Sequence, residues 1–188
     1  MQNKDRNVRL WVFEKANGAL SKTIALGPSG QPISDGSACV MSRGIAQNIS
    51  LSNLTELAEL LNDLKSSSAI ALGTIKNRGD YEEVAIVVDG QRKNSPDAIS
   101  RTKKNIIFEE DTPGLLLVDF DRKGMPAEIN QKLGDIGGVF QAIAETVPEL
   151  AGAARVERAS TSAGLYRSDN GEFFESSGGQ HIYISVAH

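Results

Sequence analysis

Short apolar or alternating runs fall at Val8–Phe13, Ala69–Ile75, Glu83–Val88, Ile106–Phe108, Leu115–Asp121, Ala154–Ser160 and Gln180–Val186, and each reads as a strand. Helical spacing is clearest over Leu51–Leu64, where Leu54, Leu57, Leu60, Leu61 and Leu64 recur behind Ser50 or Ser52 as an N-cap. Two further helices are expected at Pro126–Leu133 and Gly138–Thr146, the second ended by Pro148. Gly134, Gly137 and Gly138 lack the spacing of a dinucleotide fingerprint and read as the break between those helices. Residues Gly27 to Gly44, rich in glycine and proline, read as a loop, either a surface excursion or a nucleotide-facing segment. Strands without regular intervening helices predict an α+β fold with a mixed or largely antiparallel sheet and flanking helices. The expectation is one domain in two parts, residues 1–104 and a core of 105–188.

Composition narrows the function classes. The 188 residues carry 20 basic and 24 acidic side chains, a net charge of −4, with 40% apolar and 23% charged residues. That is globular composition, and its mild acidity argues against a protein that coats nucleic acid by bulk charge. Any contact with a polyanion must be local. Nothing approaches 18 consecutive apolar residues and Met1–Arg9 is polar, so neither a membrane span nor a secretory leader is expected. The single Cys39 excludes an internal disulfide and, with only His181 and His188, a Cys/His zinc site. A cytoplasmic protein is the expectation.

Two segments carry candidate chemistry. In Leu115-Leu116-Leu117-Val118-Asp119-Phe120-Asp121, four aliphatic residues read as a strand buried on both faces. Alternation puts Asp119 and Asp121 on one face, their Cα atoms about 6.6 Å apart, and Phe120 on the other. Two adjacent carboxylates require a cation, a shared proton or open water, and a divalent metal is the usual solution in phosphate chemistry. The plainer reading is an acidic turn closed by Arg122 and Lys123.

The second segment is Ser176-Ser177-Gly178-Gly179-Gln180-His181-Ile182-Tyr183-Ile184-Ser185-Val186. Alternation places His181, Tyr183 and Ser185 on one face and Ile182, Ile184 and Val186 on the other. The glycines permit close approach of a ligand to the main chain, and exposed amides there could form an anion nest. The alternative is a Gly-Gly hairpin leading into a half-exposed edge strand. A Ser177–His181 hydrolase is disfavoured, since the Gly-x-Ser-x-Gly elbow is absent.

Asp-Phe-Asp at a strand end, followed roughly sixty residues later by Ser-Gly-Gly-Gln-His-Ile-Tyr-Ile, resembles the archaeo-eukaryotic primase superfamily. That group includes the primase-polymerases of plasmids, phages and mobile elements. Arg158-Ala159-Ser160-Thr161-Ser162-Ala163-Gly164-Leu165 is similar to the segment before the histidine turn in some mobile-element members. The likeness spans roughly Ile106 to Val186; the first hundred residues match no motif. It implies an RNA-recognition-motif-like catalytic core and a DNA primase/polymerase-type nucleotidyltransferase. Such an enzyme builds primers from nucleoside triphosphates on a single-stranded DNA template with Mg²⁺ or Mn²⁺, alongside a helicase domain or protein. By the same resemblance, Asp119 and Asp121 would hold metal and, with His181, form the catalytic set. His181, Ser177, Gly178, Gly179, Arg158 and Ser160 would bind nucleotide. Arg92, Lys93, Arg101, Lys103 and Lys104 form a basic stretch that could contact a template or primer backbone but reads more readily as a solvated loop.

Other classes compete. A haloacid-dehalogenase-like phosphohydrolase also places Asp-x-Asp at a strand end, but Lys123 stands where that motif has Thr or Val. A glycosyltransferase would use Asp-x-Asp for metal yet leaves the Gly-Gly-x-His strand unexplained. A replication or DNA-binding module with a degenerate primase fold would bind nucleic acid without either aspartate. The family's further acid lies on a strand after the histidine, and no Asp or Glu follows His181. Glu157, Asp169, Glu172 and Glu175 precede it. The expectation is therefore an incomplete catalyst, ending on a strand that lacks a neighbour on one side.

Overall fold

The computed structural model describes residues 7–79, 81–122, 124–160, 163–174 and 178–186. The chain divides into two compact units, Met1–Gly114 with the last two residues, and Leu115–Val186. Both are mixed helix and strand, and the strand pairings described are antiparallel, consistent with the α+β class.

In the first unit, β1 (Val8–Lys15) pairs with β4 (Arg43–Leu51) from Val8 opposite Leu51 to Lys15 opposite Gly44. The sheet is completed by β5 (Ser68–Ala71) beside β1 and β7 (Glu83–Val87) beside β4. Trp11 and Phe13, two residues apart and so on one face, pack with Ala46, Val84, Ile86 and Ile99. The segment read as a loop from Gly27 to Gly44 contains more structure than its composition suggests. Its turn joins the hairpin of β2 (Thr23–Leu26) and β3 (Pro32–Asp35), and its last residues open β4. Punctuating residues marked the turns correctly but hid the short strands between them. The small pair β6 (Thr74–Ile75) and β8 (Ile106–Ile107) completes the strands of this unit.

Helix α1 (Leu54–Asp63) starts later than its leucine spacing predicts, because Leu51 belongs to β4. Asn53, not Ser50 or Ser52, is the N-cap, its side-chain oxygen accepting from the Thr55 and Glu56 amides. Glu56 reaches back to the Ser52 amide at 2.8 Å, so two orphan ends of the first turn are satisfied reciprocally.

The second unit is a three-stranded sheet in the order β10 (Arg155–Ala159), β11 (Gln180–Val186), β9 (Gly114–Phe120). Helices α2 (Ala127–Ile136) and α3 (Val139–Thr146) lie between β9 and β10 in sequence. Gly137, left-handed at φ 98°, caps α2, and the Gly138 amide donates to the Leu133 carbonyl at 2.7 Å. Ile182 and Ile184 are fully buried against Val139, Phe140 and Ala144 of α3, with Val118 and Phe120 of β9 packed alongside.

Two expectations change here. β9 is not buried on both faces: it is an edge of the sheet, and Leu116 and Leu117 are 43% and 40% exposed. A continuous apolar run cannot by itself distinguish a central strand from an edge one. Conversely, β11 is neither an edge strand nor short of a neighbour, since β10 and β9 flank it. No helix among the described residues is long and apolar enough to cross a membrane.

Because Ile184 is fully enclosed, Ile184→Ala should lower stability by about 2–5 kcal/mol, read as a reduced midpoint in denaturant unfolding.

Candidate functional site

The candidate residues gather where three strand ends meet. β10 runs antiparallel to β11 with Arg158 opposite His181 and Ala159 opposite Gln180, so the end of β10 lies beside the start of β11. The end of β9 reaches the same place: Asp119 Oδ1 is 3.3 Å from His181 Nε2. Cross-strand partners share a face, so Arg158 and His181 stand together, joined by Asp119. Phe120 points the other way and packs toward α3, as its alternation with Asp119 predicts.

The glycines at the head of β11 have a steric reason. A Cβ on Gly179 would stand 2.6 Å from Ser160 Oγ and 3.2 Å from the Phe120 carbonyl oxygen. The Ser160 amide donates to the Gly179 carbonyl at 2.9 Å, extending the β10–β11 ladder past the strand. Gly178, left-handed at φ 60°, would place a Cβ 2.8 Å from Arg122 Cδ. The turn therefore has Ser160 packed on one glycine and Arg122 on the other. Arg122 read only as a turn residue in the sequence; the glycine it touches lies 56 positions away, and only folding joins them.

Asp119 is largely in water, its side chain 72% exposed, whereas His181 is 28% exposed. Asp121 lies just beyond β9 and is exposed, with interactions of its own. His181 accompanies Asp119 as a protein partner. Tyr183, two residues along from His181, is buried at 5% exposure. Burial pushes its phenol above the ordinary value, with nearby Asp119 adding to the rise and Arg158 opposing it. Ser177 and Glu175 lie outside the described residues.

The other upstream acids are engaged elsewhere. Glu157 is aligned opposite Ile182, on the face turned from His181, and pairs with Arg155, whose guanidinium lies 3.6 Å from the Phe140 ring centre. Arg167 binds Asp169 through two nitrogens and Glu172 at 3.5 Å, and its hydrogen bonds hold the Asp169 carboxyl below its usual value. The basic stretch is in the first unit: Arg92 and Lys93 sit in a 3₁₀ turn, and Arg101 lies over the Phe13 ring.

Two exposed carboxylates are hard oxygen donors suited to Mg²⁺ or Mn²⁺. Among the described residues no group of three or more His, Cys, Asp or Glu is gathered to enclose a metal. The donor set thus fits a cation shared with phosphate oxygens and water rather than an all-protein cage. Comparison with protein-family models, curated proteins and solved structures gave no match.

Gly179→Ala should destabilise the protein by about 1–3 kcal/mol through overpacking, and Ser160→Ala in the same chain should recover part of that loss. Thermal melts of the two single variants and the double variant check this.

Raised in the fold, the Tyr183 phenol keeps its proton at pH values where the unfolded chain loses one. Its contribution to stability is therefore present below the ordinary tyrosine value near 10 and is lost as pH rises through the folded value. Ultraviolet titration should show one tyrosine of the three ionising late, and Tyr183→Phe should remove that step. Three tyrosines titrating together would contradict it.

Proposed function

We propose that Leu115–Val186 is the metal- and nucleotide-binding core of a primase-polymerase-type nucleotidyltransferase, extending primers from nucleoside triphosphates on single-stranded DNA. One observation carries this reading: the Asp-Phe-Asp and Gly-Gly-Gln-His segments, distant in sequence, meet with Asp119 and His181 3.3 Å apart. β9 and β11 are neighbours in the sheet, and that pairing sets the ends of the two segments side by side. Their meeting at an exposed corner is what a phosphate-handling site requires.

In this reading Asp119 and Asp121 hold Mg²⁺ or Mn²⁺, which supplies charge neutralisation at the triphosphate. His181, kept beside Asp119 by the central strand, donates to a phosphate oxygen. Amides around Gly178 and Gly179 would bind phosphate oxygens as an anion nest. Arg158, opposite His181, extends the positive side of the corner toward the phosphates or sugar, and Ser160 adds a hydroxyl beside Gly179.

A second reading, a nucleic-acid-binding module with a degenerate primase fold, draws on the engagement of Glu157 with Arg155 and of Asp169 and Glu172 with Arg167. Those contacts engage the upstream acids among the described residues, where the primase superfamily uses a third carboxylate. Under it, DNA binding survives Asp119→Asn with Asp121→Asn.

Calorimetric titration of a nucleoside triphosphate with Mg²⁺ or Mn²⁺ decides between them, since a chain matching two of the three acids should incorporate little or no nucleotide by itself. The double asparagine variant should lose the metal-dependent part of that binding. His181→Ala should weaken nucleotide binding by about 1–3 kcal/mol with little change in melting temperature. Template binding without metal-dependent nucleotide binding selects the module, and release of free phosphate selects a phosphohydrolase.

A further inference from the structure

Arg122 has a role that the proposed chemistry leaves unassigned. It directly follows the two aspartates, in a turn closed by the Met125 amide donating to the Arg122 carbonyl at 3.0 Å. Its stem lies beneath the histidine turn, where a Cβ on Gly178 would stand 2.8 Å from Arg122 Cδ and 3.3 Å from Nε. Its guanidinium carbon sits 6.0 Å from the Phe120 ring centre. The Nε is buried from solvent and, among the described residues, has no hydrogen-bond partner.

A guanidinium N–H withdrawn from water without an acceptor is costly, and native structures seldom leave one so. Here the glycine that admits the arginine and the ring beside it hold the donor in place. An anion that reaches the turn would satisfy it. We infer that Arg122 is an anion-binding residue that takes a phosphate oxygen of a nucleotide's polyphosphate tail. This rests on the nucleotide-binding reading of the corner formed by Asp119 and His181.

Two features favour a polyphosphate over other anions. Asp121 is the adjacent residue, and its charge disfavours a bare anion unless a cation comes with it. A polyphosphate brings that cation and spans several oxygens, one for the arginine and others for the metal. The planar guanidinium is also shaped for phosphate oxygens in a way that a lysine is not.

The test is calorimetric titration of the full chain with inorganic tripolyphosphate, first with Mg²⁺ and then in EDTA, the asparagine variant being read in EDTA, where no metal contributes. Wild type, Arg122→Met, Arg122→Lys and Asp119→Asn with Asp121→Asn are compared, and folding is followed by circular dichroism. Methionine keeps an unbranched stem under Gly178 without the donor, and should weaken binding at least tenfold, in line with loss of a charge-assisted hydrogen bond. Lysine should recover part of the loss. The double asparagine variant should bind as tightly as wild type or tighter, since it removes like charge.

Unchanged affinity in Arg122→Met, or no binding by wild type and the asparagine variant alike, overturns the assignment. So does a loss confined to a single-stranded oligonucleotide with tripolyphosphate binding intact, which would make Arg122 a template contact. If the methionine variant does not fold, the lysine variant decides, several-fold weakening supporting the role and equal affinity refuting it. Failure of the wild-type chain to bind a nucleoside triphosphate with Mg²⁺ would sink the nucleotidyltransferase reading and leave the tripolyphosphate result standing.

Discussion

The corner of the second unit depends on backbone approaching side chain with nothing in between. At Gly179 there is room for a hydrogen and no more, with Ser160 on one side and the Phe120 carbonyl on the other. That closeness lets the ends of β9 and β10 converge on the start of β11 rather than splay around a side chain. The 3.3 Å contact between Asp119 and His181 follows from it. A protein interior packs too tightly to absorb an added methyl without moving its walls, so this one position sets the geometry of the rest.

The central strand then sorts its residues by face. Ile182 and Ile184 go to α3 and anchor the sheet, while His181 and Tyr183 occupy the other face. Charge is sorted in the same way. Arg155 and Glu157 lie on the helix side, with the guanidinium stacked on Phe140, and Arg158 stands with His181. The alternation of a single antiparallel pair thus separates structural charges from those available to a ligand. With Asp119 largely in water, its contact with His181 contributes little to stability. The contact positions two groups; it does not hold the sheet together.

The first unit is built on a different principle. A sheet of four strands buries Trp11 and Phe13 on one face. Its polar interior is a small network, in which buried Ser100 donates to Asp89 and buried Asn105 donates to the Ser100 hydroxyl and carbonyl. Every member has a partner, which is the condition for keeping such groups out of water.

Local pattern alone determined the kinds of element and the residues worth watching. Leucine spacing located α1, two-residue alternation located β11 and assigned its faces, and Gly137 and Gly138 marked the break between α2 and α3, while Gly134, read with them, lies inside α2. These are readable because helix and strand periods are properties of neighbouring residues. Asp119, His181, Gly178 and Gly179 stood out for the same reason. What the pattern could not decide was neighbourhood. Four aliphatic residues in β9 do not say whether the strand is central or an edge, and here it is an edge with two exposed leucines. The Gly27–Gly44 composition hid both β3, half of a local hairpin with β2, and the opening of β4, whose partner β1 is distant. Nor could any local rule place Arg122 under Gly178 or turn Glu157 from His181. Those facts belong to contacts between segments tens of residues apart. They exist only once the chain has closed on itself.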